Sequence, residues 1–141
     1  MYAKKIKFVD FNGNEREQTF LFNLTKAELL EMQTSIGGGF TEYVKRIVEA
    51  QDTVTLTKLF KELILKAYGE KSDDGLRFVK KDPVRGDLGE EFAQTAAYAE
   101  LYTELATDEK AAIDFMNGVI PADIREEANK QDGHAFPPSV Q

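Results

Sequence analysis

The 141-residue chain contains no cysteine. That absence excludes disulfides, thiolate zinc sites, iron–sulfur clusters and thiol catalysis together. A single histidine, His134, leaves too little imidazole for a histidine-rich metal site or a Ser-His-Asp triad. No apolar run approaches the roughly 18 residues of a membrane span. The lysine-bearing start, residues 1–7, lacks the apolar core of a secretory signal. Basic residues are outnumbered, 18 against 25 acids, for a net charge of −7. Residues 86–114 hold eight of those acids against Lys110 alone, so one segment carries the whole excess. A duplex-binding protein neutralises phosphates with a basic stripe, so neither nucleic acid nor membrane is an expected partner. What remains is ordinary: 42% apolar and 30% charged residues, in a length that fits one domain and a cytoplasmic protein.

Residues 4–11 and 15–22 read as two strands around Asn12-Gly13-Asn14, a strong hairpin signal. A two-residue Asn-Gly turn would set Ile6 and Phe8 opposite Thr19 and Glu17, mismatching apolar and polar faces. A three-residue loop restores parity, so that Ile6 and Phe8 share a face with Phe20 and Phe22. Gly13 or Asn14 then takes the left-handed conformation. A lone hairpin is marginal, so its aromatic face must lie on helices or on another subunit.

The phrase Leu24-Thr25-Lys26-Ala27-Glu28-Leu29 is a helix start. Thr25 and Glu28 form a capping box, and Leu24 and Leu29 a hydrophobic staple. The first helix is expected from residue 26 to about 36, broken by Gly37-Gly38-Gly39. A second, over 40–51, carries Phe40, Tyr43, Val44, Ile47 and Val48 on one face. A third begins at Asp52 or Thr53, buries Leu56, Leu59, Phe60, Leu63, Ile64 and Ala67, and stops at a left-handed Gly69. Residues 69–86 are turn-rich, with a brief strand over 76–79. A fourth helix spans about 87–106, with Leu88, Phe92, Tyr98, Leu101, Tyr102 and Leu105 inside. A fifth starts at Thr107 or Asp108 and ends at Gly118, before Pro121. The expected fold is α+β and mostly helical, an N-terminal antiparallel β-hairpin (4–22) on about five helices (25–118). Residues 1–124 form the domain and 125–141 a flexible tail.

No catalytic, metal or cofactor constellation is visible, so no cofactor and no enzyme activity are expected. Gly37-Gly38-Gly39 lacks the Lys-Ser or Lys-Thr pair of a phosphate loop. Ser72-Asp73-Asp74-Gly75 lacks the spaced ligands of a calcium loop. Glu90 and Glu91 diverge by about 100° on a helix and favour its first turn rather than acting as a facing pair. His134 reads as solvated, and Phe136-Pro137-Pro138 as part of an unstructured end or a short docking segment.

Several phrases, in order, carry a family resemblance. They are residues 5–11 with Asn12-Gly13-Asn14-Glu15, then Phe20-Leu21-Phe22-Asn23-Leu24-Thr25-Lys26-Ala27-Glu28-Leu29. Residues 63–69, Lys71-Ser72-Asp73-Asp74-Gly75-Leu76-Arg77-Phe78 and Phe115-Met116-Asn117-Gly118-Val119-Ile120-Pro121 follow. From residue 4 to residue 123 the chain resembles the tail assembly chaperones of long-tailed phages and prophages of Gram-positive bacteria (siphophages). The resemblance implies a non-enzymatic helper in the host cytoplasm that keeps the tape measure protein soluble while the tail tube polymerises, and that is absent from the virion. It also implies a frameshifted longer product that recruits the tail tube protein. The residues offer means to that end: a hairpin whose free edges join neighbouring copies, a helical groove for amphipathic client helices, and an acidic segment that steers basic ones. Phe20, Phe22, Phe92, Tyr98, Leu101 and Tyr102 are the candidates for client binding or self-association. The alternatives are a structural tail or connector protein retained in the virion, and a small acidic adaptor of a host protein.

Overall fold

The antiparallel hairpin is built from β1 (Tyr2–Val9) and β2 (Glu15–Phe22). The structure, a computed structural model, describes residues 1–35 and 53–120. The expected Gly37–Gly39 break, the helix over 40–51, Pro121, His134 and the tail lie outside the described residues. Pairing runs from Tyr2↔Phe22 to Val9↔Glu15, so Ile6, Phe8, Phe20 and Phe22 do share the inner face. The loop, however, is one residue earlier than expected, at 11–13. Asp10 closes it: its N–H donates to the Asn14 carbonyl at 2.9 Å, and its carbonyl accepts from Gly13 at 3.0 Å. Its carboxylate accepts from the Asn12 and Asn14 amides, an Asx arrangement that fixes the turn. Gly13 takes the left-handed conformation with φ +84°. Phe11 therefore sits in the turn, 84% exposed, rather than in a strand.

The capping box forms as read. The Thr25 amide donates to Glu28 at 2.9 Å, and the Glu28 amide donates back to the Thr25 hydroxyl at 3.2 Å. It starts α1 (Lys26–Ser35), with Leu24 and Leu29 both buried in the core. The next described helix, α2 (Thr53–Ala67), buries Leu59, Phe60, Leu63, Ile64 and Ala67.

Two departures from expectation follow. The chain leaves α2 directly into β3 (Tyr68–Lys71), which pairs with β2 through Leu21↔Gly69 and Phe22↔Tyr68. With β4 (Phe78–Val79) the hairpin becomes a four-stranded sheet, ordered β1-β2-β3-β4. Gly69 is thus not a left-handed cap. It lies inside a strand, where an added Cβ would sit 2.6 Å from the Phe78 ring and 2.7 Å from the Val79 carbonyl oxygen. A small ribbon of β5 (Lys81–Asp82) and β6 (Gly86–Asp87) precedes the remaining helices.

Second, the helix expected over 87–106 is two helices, α3 (Leu88–Phe92) and α4 (Ala96–Thr107). Thr95 makes the break. Its hydroxyl donates to the Phe92 carbonyl at 2.7 Å and accepts from the Tyr98 amide at 3.1 Å, closing one helix and capping the next. Asp87 and Asp108 cap α3 and α5 (Glu109–Val119) in the same way.

The core is one cluster that joins Ile6 and Phe22 of the sheet to Leu59–Ala67 side chains of α2, Leu88 and Phe92 of α3, Leu101 and Leu105 of α4, and Phe115, Met116 and Val119 of α5. Backbone bonds tie the sheet's exit to two helix ends. The Asn23 amide donates to the Ala67 carbonyl at 2.8 Å and the Leu24 amide to Val119 at 2.9 Å, satisfying carbonyls that helix C-termini leave open.

Lys80 completes this junction. Its ammonium donates to the Asn23 carbonyl at 3.0 Å, to the Glu28 carboxylate at 2.8 Å and to the Lys66 carbonyl, and lies 5.6 Å above the Phe78 ring. Burial works to raise the Glu28 carboxyl, but the bonds from Lys80 and Thr25 outweigh it and hold the group below the usual range. A carboxyl so depressed contributes stability that is complete above its unfolded pKa, about 4.3, and is lost as pH falls through the folded value. Lys80→Met is expected to cost about 2 kcal/mol at neutral pH. Urea titrations between pH 3 and 7 should also show a shallower loss of stability on acidification than in the parent.

Candidate interaction surface

The aromatic residues singled out from the sequence belong to one connected array. Phe92 stacks on Tyr68 with ring centres 4.4 Å apart and planes 8° from parallel. Phe20 lies 5.1 Å and Phe22 5.7 Å from the same ring. Phe22 reaches on to Phe115, and Phe115 to Tyr2. In the other direction Phe92 meets Tyr98 at 6.0 Å, and Tyr98 meets Tyr102 at 5.8 Å. Such edge and offset contacts add to area burial and fix geometry.

The array has an inside and a rim. Phe22, Phe92 and Leu101 are core residues, beyond the reach of a partner while the fold is closed. Phe20, Tyr98 and Tyr102 are half-buried at its edge. Phe8, 6.1 Å from Phe20, extends the rim along the hairpin. Burial and the neighbouring Tyr102 raise the Tyr98 phenol above its usual pKa. Four residues of the array, Tyr2, Phe8, Tyr68 and Phe115, were not among the sequence candidates. Phe8 was legible through its shared face with Phe20. Tyr68 was not, because its strand is four residues long and polar at its far end.

Charge surrounds this rim unevenly. Glu104 of α4 is paired with Lys4 of β1 at 2.9 Å, which holds the helix under the strand. Glu70 and Glu91 both chelate Arg85, Glu70 through paired contacts of 2.9 and 2.8 Å. The Arg85 bond holds Glu91 below the usual carboxylate range. This clamp joins the 83–85 turn to β3 and α3. Glu90, Glu100, Glu109 and Asp114 are exposed on α3–α5 and make no ion pair among the described residues. The exposed faces of α3–α5 therefore carry an excess of acid, on the helices next to the half-buried tyrosines.

Among the described residues no group of three or more histidine, aspartate or glutamate side chains is placed to hold a metal. None of the described helices is long and apolar enough to cross a membrane. The model of the family described as phage tail assembly chaperone matches residues 1–140. The chain belongs to that family. No curated protein and no solved structure matches it. At the hairpin's edges, β3 covers β2 only at Leu21 and Phe22, and no described strand pairs with the outer side of β1.

Proposed function

We propose that this tail assembly chaperone acts in the host cytoplasm on the tape measure protein of its own phage, keeping it soluble while the tail tube polymerises around it, and then leaves the particle. The family match over residues 1–140 supports the reading. The rim of Phe8, Phe20, Tyr98 and Tyr102 supplies apolar contact for amphipathic client helices, and the exposed acids of α3–α5 draw in their basic residues. The tail tube protein is met through a longer, frameshifted product.

Co-expression with the tape measure protein tests this. Soluble client that co-elutes with the chaperone on size exclusion is the expected result. Client that stays insoluble both with this chain and with the longer product overturns it. Tyr102→Asp, at the rim, should keep native circular dichroism and lower client recovery about tenfold, as expected for loss of an interfacial aromatic anchor.

A further inference from the structure

We infer that the outer edge of β1 is a docking site for an extended segment of a partner protein in which acidic and apolar residues alternate. The inference stands apart from the client's identity, because it concerns the sheet edge, which shares only Phe8 with the aromatic rim.

The hairpin register decides which backbone groups are on offer. The Asp10–Asn14 pair is hydrogen-bonded, and in an antiparallel ladder such pairs recur at every second residue. Phe8, Ile6, Lys4 and Tyr2 therefore bond to β2, while Ala3, Lys5, Lys7 and Val9 turn their N–H and C=O groups away from it. The same alternation on β2 turns Leu21 toward β3, where it pairs with Gly69. No described strand pairs with the outer side of β1, which leaves four consecutive outward residues on an eight-residue strand.

Side chains set the chemistry of the occupant. On the outer face Lys5 and Lys7 are 67% and 84% exposed and share a single carboxylate, that of Glu17, at 3.8 and 3.7 Å. Both contacts are long for an ion pair, so the two ammonium groups stay open to a carboxylate brought to the β1 side. On the inner face Ile6 is buried, Phe8 is half-buried, and α4 packs beneath the strand. A strand added here would set its outward side chains opposite Lys5 and Lys7 and its inward ones beside Ile6 and Phe8. Acid at the first and apolar side chains at the second satisfy both.

A second copy fits this edge poorly in the registers centred on its lysine-bearing stretch. In a two-fold antiparallel β1–β1 pairing centred on Ile6, Lys5 of each copy opposes Lys7 of the other. Centring on Lys5 or Lys7 puts that lysine opposite itself. Like charges directly opposite are destabilising, and edge lysines block self-pairing. The same two lysines that repel a copy attract an acidic strand.

Amide hydrogen exchange and a shift titration of the full chain, with an acetylated eight-residue peptide of alternating glutamate and valine, test the inference. The amides of Ala3, Lys5, Lys7 and Val9 should become protected. Residues opposite Lys5 and Lys7 point their own N–H groups at β1, so methylating the glutamate nitrogens should abolish binding, while methylating the valine nitrogens should spare it. Replacing glutamate by lysine in the peptide should weaken binding about tenfold, and Lys5→Glu with Lys7→Glu should invert that preference. Circular dichroism of the double variant confirms its fold. Absence of protection, indifference to glutamate N-methylation, or β1 protection that rises with protein concentration alone would overturn the inference, the last by showing a second copy on the edge.

Discussion

Phe92→Asp is expected to abolish cooperative folding, with loss of near-ultraviolet circular dichroism and no sigmoidal urea transition. The ring is 2% exposed and touches four others: Tyr68, Phe20, Phe22 and Tyr98. It is the point where sheet, α3 and α4 meet. Truncation to alanine removes those contacts and opens a cavity, at a cost of about 3–5 kcal/mol. That is a large share of the roughly 5–15 kcal/mol by which a domain is stable. Aspartate adds the desolvation of a carboxylate among rings, which must protonate or drag water inward. Phe92→Leu, which keeps much of the volume, should cost only about 1.5 kcal/mol. A Phe92→Asp protein that unfolds cooperatively with near-native stability would show that the ring is not enclosed.

The contrast with Tyr102→Asp carries functional weight. Sequence patterning groups Phe92, Tyr98, Leu101 and Tyr102 on one helical face, but the Thr95 break puts Phe92 on α3 and the other three on α4. Burial divides the group into residues that hold the fold, Phe92 and Leu101, and residues that reach its surface, Tyr98 and Tyr102. Substitutions in the first set lower client recovery by unfolding the chaperone; only the second set can report on contact. Expression level alone confuses the two, so each variant needs its own unfolding curve.

Local chemistry that closes within a few residues was legible in the sequence. The Thr25–Glu28 box and the shared face of Ile6, Phe8, Phe20 and Phe22 depend on spacing alone. The loop position was not, because Asn12-Gly13-Asn14 permits neighbouring turns and the choice rests on the Asp10 carboxylate gathering two amides. β3 was missed for a different reason. Tyr68-Gly69-Glu70-Lys71 has no alternation of its own, and its strand form comes from pairing with Leu21 and Phe22, more than 40 residues away. Thr95 sits in an alanine-rich stretch of high helix propensity, where one hydroxyl bonded on both sides outweighs the periodicity. On the surface, the acidic bias of residues 86–114 was readable by counting. Which of those acids are neutralised, Glu91 by Arg85 and Glu104 by Lys4, needed the fold.

Gly89→Ala should be destabilising by about 3 kcal/mol, lowering the melting temperature by about 10 °C. Propensity alone gives the opposite sign, since alanine inside a helix is favoured over glycine by about 1 kcal/mol, and Gly89 is not among the positive-φ glycines. Packing decides. A Cβ at Gly89 would lie 2.1 Å from the Leu65 carbonyl oxygen and 3.0 Å from its carbon, both main-chain atoms of α2. A side chain can rotate out of such a clash, but a helix backbone must translate, and α2 carries Leu59, Leu63 and Ile64 into the same core. Separating α2 from α3 also moves the Phe92 ring off Tyr68. Gly75→Ala is the control: nothing lies within 4 Å of its Cβ position, and only the φ of +75° resists substitution, at about 1 kcal/mol. Thermal unfolding of the two variants side by side separates contact from backbone preference. If Gly89→Ala proved the more stable of the pair, α2 and α3 would not approach closely enough to need a glycine, and the aromatic array would have to be held by the sheet alone.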